Sequence, residues 1–382
     1  MVRRTQLGIE GRNETVRKRN EHDPLDNMQR PWVHAKPVPM DPSTDPGPGL
    51  LAGLRTEFLM DDEWCELDGR VLRWTGGAAP LVFSVSEPFE MNGDITVKVC
   101  ARATLVTDVQ AAPDVALRVV NLANTHASVG SLVWLADRRE VAVFVAQYAH
   151  AGNDSVTSLL SPFALLAYTE GLAKLSEGLA SILAGAAAAD RDDEDDLLRA
   201  SEQVVIPGGA EAQRWDGEEL EAMGRQWEQG GLMSMADETG LTVEFPYSSS
   251  VPMLMRMMTD LGATGGGGST SLYNQQLDNP HPSYGNGLFT LLRIPDAFDE
   301  DEALEHANAL NMAELLETTG FPNWGSWCTM EGALCHVAFI PNVIARPGLI
   351  STINFYALSR SQWVQERLLP LDLVREVRAG DR

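Results

Sequence analysis

The chain has 382 residues with 54 acidic and 29 basic side chains, a formal net charge of −25. That length is enough for two or three domains, and a surface this negative repels phosphates and anionic lipid, which argues against nucleic-acid and membrane partners. The hydrophobic fraction of 44% excludes wholesale disorder, and four cysteines without a Cys-x-x-Cys pair point to a reducing, cytoplasmic setting instead of a disulfide framework.

Residues 1–36 carry eight basic and five acidic side chains, a local charge of +3 that leaves −28 for the remainder. Their first twenty positions contain no apolar core of the kind a signal peptide needs. Pro37, Pro39, Pro42, Pro46 and Pro48 follow, interspersed with glycine. Residues 1–50 are therefore expected to form a disordered basic arm and an extended Pro/Gly-rich linker.

A first domain is expected over 51–184. Ile95 to Val99 alternates like a strand with one buried face, Ala116 to Asn124 has helical spacing, and Ser131–Leu135 with Val141–Tyr148 reads as a hairpin. A closing helix should open near Ser161-Pro162. It places Leu165, Tyr168, Leu172, Leu175, Leu179 and Ile182 at alternating spacings of three and four, an a/d seam suited to packing on another helix. Glu170, Lys174 and Glu177 sit near the middle of this stretch, so it reads as an amphipathic helix and not a membrane span. Residues 185–236 read as an acidic linker, since six of the seven residues 190–196 are acidic. Without the turn and alternating ligands of a calcium loop, that run reads as solvated, and no metal site is assigned.

The second domain, 237–375, repeats the first. Ala303-Leu304-Glu305-His306-Ala307-Asn308-Ala309-Leu310-Asn311 aligns without gaps to Ala116–Asn124, both reading Ala-Leu-x-x-x-Asn-x-x-Asn. A strand pair (324–330 and 333–340) and a helix opening near Pro347-Gly348 follow in the same order. Strands, helix, hairpin and helix in each half predict an α+β fold: two tandem copies of a mainly antiparallel sheet covered by helices, arranged as an internal pseudo-dimer.

Both asparagines of each motif lie on the apolar stripe of their helix. Asn121, Asn124, Asn308 and Asn311 must then find buried hydrogen-bond partners, either backbone groups at strand ends or a ligand. His281, between two prolines in Asp278–Gly287, is a further ligand-contact candidate in a turn-rich segment. Gly265–Gly268 lacks the lysine a phosphate loop requires, and no nucleophile elbow or zincin motif occurs, so no catalytic residue and no cofactor is assigned. A two-residue turn at Glu331-Gly332 would set Cys328 opposite Cys335, with His336 on the other sheet face, so three ligands do not converge on zinc. Leu165, Tyr168, Leu172 and Leu175 on one closing helix, with Ile353, Tyr356 and Trp363 on the other, offer apolar surface for a client peptide or self-association.

The order of strands, Asn-bearing helix, hairpin and helix resembles the type III secretion chaperone and YbjN-like domains, grouped as TY-Chap, here in tandem over 58–184 and 237–370. The second copy carries the resemblance most fully, through Pro280-His-Pro282, Gly285-Asn-Gly287, Ala307-Asn-Ala-Leu-Asn311, Gly325-Ser-Trp327 and Phe339-Ile-Pro-Asn342. The first lacks the Pro-His-Pro and Gly-Asn-Gly segments. The resemblance implies a non-enzymatic, chaperone-like or adaptor protein that binds a partner polypeptide, its linked copies replacing a homodimer. The alternative is a small-ligand sensor or enzyme with a pocket near His281, Asn308 and Asn311.

Overall fold

A computed structural model describes residues 36–37, 45–57, 65–75, 79–91, 94–126, 130–150, 175–188, 215–246, 270–281, 285–342, 345 and 347–380. The fold is α+β, with two antiparallel sheets covered by six helices. The first half contains β1 (Lys36–Pro37), α1 (Pro46–Glu57), β2 (Cys65–Asp68), β3 (Val71–Trp74), β4 (Leu81–Val85), β5 (Phe89–Met91) and β6 (Asp94–Thr107). It continues with α2 (Pro113–Asn124), β7 (Ser131–Leu135), β8 (Glu140–His150), a helix α3 at 175–183 and β9 (Ala186–Ala187). The second half contains α4 (Gly217–Gln229), β10 (Ser234–Ala236), β11 (Gly240–Pro246), β12 (Thr270–His281), β13 (Gly285–Ala297), α5 (Glu300–Leu316), β14 (Ser326–Met330), β15 (Ala333–Pro341) and α6 (Leu349–Gly380).

Both sheets wind the same way. Hydrogen-bonded neighbours run β2-β3-β4-β6-β8-β7 in the first and β10-β11-β12-β13-β15-β14 in the second. In each, a four-strand meander leads into the Asn-bearing helix, and the hairpin after it inserts its second strand beside the fourth meander strand. The first sheet adds β5 and β9 along the ends of β6, and β1 beside β5. The two Asn-bearing helices begin at Pro113 and Glu300, equivalent positions in the aligned motif.

Alternation explains the burial. On β6, Val97, Val99, Ala101, Ala103 and Leu105 are buried while Lys98, Cys100, Arg102 and Thr104 are half-buried, as a period of two requires. One apolar cluster runs through both halves, from Leu51, Leu72 and Phe83 to Trp227, Tyr273 and Val364. The halves therefore share a core.

Two expected boundaries move. The Pro/Gly stretch expected to be extended through residue 50 instead turns helical at Pro46, because proline fits the first turn of a helix and the Asp45 carboxylate accepts the Gly47 N–H there (2.9 Å). Arg70 pairs with the same carboxylate. The C-terminal part of the expected linker, 217–236, belongs to the second copy as α4 and β10. Its charges sit on one side of α4, while Leu220, Met223 and Trp227 on the other enter the core. Asp216 caps this helix, and Glu219 reaches across to accept hydrogen bonds from Gly348 N and Ser351 N (3.1 and 3.0 Å) at the start of α6.

Candidate functional site

The paired asparagines join the copies. Asn124 accepts from Leu132 N (2.9 Å) and donates to Leu132 O (3.0 Å) on the edge strand of its own sheet, and Asn311 does the same with Trp327 (2.8 and 2.9 Å). The other member of each pair crosses over. Asn121 accepts from Thr329 N (2.7 Å) and donates to Thr329 O (3.4 Å), while Asn308 accepts from Trp134 N (2.9 Å) and donates to Trp134 O (3.2 Å). Among the described residues, strands β7 and β14 thus meet no further strand on their outer side: their outward backbone groups at these four residues are bound by amides. The contacts are reciprocal in the manner of an isologous dimer interface, within one chain.

Other contacts at the seam are not symmetric. Lys98 of β6 is largely buried and donates to the carbonyls of Glu314, Leu315 and Glu317 (2.8, 2.7 and 2.6 Å), capping the C-terminal end of α5. Burial pulls its ammonium down to about 8, against the favourable field of its neighbours. The Tyr148 phenolic Oη accepts from Thr319 N (2.8 Å), and Arg118 of α2 pairs with Glu300 and Asp301 at the start of α5.

His281 accompanies none of these groups. Its ring packs at a tilt against Phe339 (4.7 Å between centroids) and its Nε2 lies 3.2 Å from the His126 carbonyl. Asn308 and Asn311 spend both amide ends on backbone, so the three residues do not converge on a common ligand atom.

Of the apolar helix positions, Leu165, Tyr168 and Leu172 lie outside the described residues, as do the helix start near Ser161, the acidic run 190–196 and Gly265–Gly268. Leu175 and Ile182 are 46% and 63% exposed, whereas Leu179 between them is buried against the first sheet. Ile353 and Trp363 are buried and Tyr356 half-buried, which corrects the expectation that they form an exposed surface: the second sheet needs α6 as its cover, and these side chains supply it. Cys328 and Cys335 do face each other across β14 and β15, joined by a turn with Glu331 and Gly332 both at positive φ. Both thiols are free and buried, and burial raises their pKa, that of Cys335 to about 11. Among the described residues no group of His, Cys, Asp or Glu could hold a metal ion, and no helix is long and apolar enough to cross a membrane.

The feature that sequence reading missed is the outer edge of the second sheet. Met233 O accepts from Glu244 N and Asp237 N donates to Gly240 O, while Met235 faces Thr242. By the alternation of an antiparallel ladder, the backbone groups of Ser234 and Ala236 then point away from β11. No strand lies beyond β10 among the described residues. Met233 and Met235 are 70% and 74% exposed beside this edge. Eight carboxylates and one guanidinium, Arg225, lie within 215–246, and of these Asp216, Glu218, Glu228, Asp237 and Glu238 are exposed, as is Arg225. The signal was present as Met-Ser-Met in an acidic setting, but three residues are too few to show a period. Comparison with protein-family models, with curated proteins and with solved structures gave no match for this chain.

Proposed function

We propose that the protein is a non-enzymatic, chaperone-like or adaptor protein that holds a partner polypeptide in extended form, pairing it with the outer edge of β10. One observation carries this reading: a strand edge with no further strand beyond it among the described residues, beside two exposed methionines and followed in sequence by the exposed Asp237 and Glu238. Main-chain groups of an edge give affinity to an added strand, adaptable methionines accept varied apolar side chains, and the acidic surround selects a basic segment. The duplicated architecture supports it too, because the asparagine clamps occupy the inner edges and leave the outer edge of each sheet, β2 and β10, for other contacts.

The test uses Ser234→Pro and Met235→Lys. Ser234 N points away from β11, so proline there removes an edge donor while sparing the β10–β11 ladder, and lysine repels a basic segment. A polypeptide that co-purifies stoichiometrically with the wild-type chain, once reconstituted from purified components, should bind both variants at least about tenfold more weakly. Equal binding by wild type and both variants overturns the reading. The acidic surround also predicts that binding weakens as ionic strength rises.

A further inference from the structure

The two copies differ beneath their closing helices. In the first, Val143 faces Leu132, and in the second His336 faces Trp327, the residues that the equivalent asparagines clamp. One strand further in, Thr290 of β13 stands where the first copy has Ala101 of β6. The first copy builds its sheet with apolar residues at both places, so the fold does not require polar ones.

The turn before β14 lies over this part of the second sheet. Gly325 makes the close approach possible: its φ is 91°, and a Cβ there would collide with Val337 O and lie 2.8 Å from His336 Cε1. Trp324, one residue earlier, is thereby held close to the sheet, its ring edge-on to Tyr356 of α6 (5.7 Å between centroids). A cavity of about 20 Å³ remains between the sheet, this turn and α6, with Trp324, His336 and Arg360 in its lining and Leu292 and Ile353 among its apolar walls. Trp324 and His336 are each 4% exposed, and the indole Nε1 and the ring Nε2 have no hydrogen-bond partner within the protein. Two such side chains lining one cavity are costly unless something in it completes them.

Size, charge and hydrogen bonding together select the occupant. A volume of about 20 Å³ admits a water, for which about 10–15 Å³ suffices, and is too small for an organic ligand. The Arg360 guanidinium is already held by Glu314 (2.8 and 3.1 Å) and Pro322 O (2.8 Å), while burial and the nearby Arg360 keep His336 neutral. An ion would therefore meet no free counter-charge. The indole N–H can only donate, so the occupant must accept; a neutral imidazole nitrogen donates or accepts according to tautomer, so the occupant must be able to do either. Water does both. We propose that this cavity is a hydration site peculiar to the second copy, where one resident water accepts from the Trp324 indole and joins it to the His336 ring, tying the turn before β14 to β15 beneath α6.

A crystal structure of the full chain, at a resolution that shows ordered waters, should place one within about 2.7–3.2 Å of both Trp324 Nε1 and His336 Nε2. In solution, oxygen-17 relaxation dispersion counts long-lived internal waters. His336→Leu roughly keeps the side-chain volume and removes Nε2, and it should hold one such water fewer than wild type. Trp324→Phe removes the indole donor, provides a second variant and should lose the same water. A cavity without density, a direct bond between the indole and the imidazole, or equal water counts in wild type and both variants overturns the proposal.

Discussion

At the scale of single residues, the paired asparagines are committed to backbone groups of strand edges. Asn311 is buried and satisfies both backbone groups of Trp327, so Asn311→Ala leaves an unpaired N–H and C=O and should cost about 2–4 kcal/mol; Asn308→Ala, at a partly solvated site, should cost about 1–2 kcal/mol. Urea unfolding midpoints at constant m-value measure both. The buried Glu314 carboxylate binds Arg360 and the Trp327 indole together (2.7 Å to the latter). Glu314→Gln strips the charge that compensates Arg360 and should destabilise by about 3–5 kcal/mol in the same assay. His336 supplies a pH signature. Its folded pKa lies well below 6.5, so below that value the unfolded chain binds a proton the folded chain does not. Stability from this group is full above pH 6.5 and falls as the pH drops through 6.5 and below, and His336→Val should flatten that part of the curve.

At the scale of elements, the edges of the two sheets receive opposite treatment. Strands β7 and β14 are sealed by side-chain amides, while among the described residues no strand lies beyond β10, whose polar and acidic neighbours oppose indiscriminate pairing. The hairpin of β14 and β15 holds Cys328 and Cys335 side by side and buried, which makes neither a nucleophile, since burial disfavours the thiolate. Cys65 is also buried and its thiol raised, and burial raises Cys100 to about 11. A thiol reagent at pH 8 should therefore label all four slowly in the native protein and rapidly in denaturant, with the two rates compared by mass spectrometry. Prompt native labelling of Cys328 or Cys335 would show that the hairpin opens.

For the whole molecule, the shared core makes the copies one cooperative unit. A single thermal transition is expected, and Asn121→Ala with Asn308→Ala should lower it for both halves together, read by hydrogen exchange in each sheet. Lys98 adds a one-sided tie. Because its folded pKa is lowered to about 8, the unfolded chain holds this proton over a pH range where the folded chain has released it, so its contribution to stability rises with pH between about 8 and 10.5. The stability difference between wild type and Lys98→Met should widen in the same direction over that window.

Local pattern in the sequence was enough to determine the α+β class, the repeat and the hairpin register. Alternation of apolar residues, a nine-residue match and a Glu-Gly turn are all short-range signals that physics reads locally. The same pattern placed four asparagines on apolar stripes, which required buried partners without naming them. Only the tertiary structure decided that two of the four cross to the other copy, because that depends on which strand edge arrives opposite each helix. It also decided that α4 and β10 complete the second sheet despite their acidic composition, and that Ile353 and Trp363 are core. Burial is a property of what packs against a residue, and a helix stripe looks the same in sequence whether a sheet or a partner covers it.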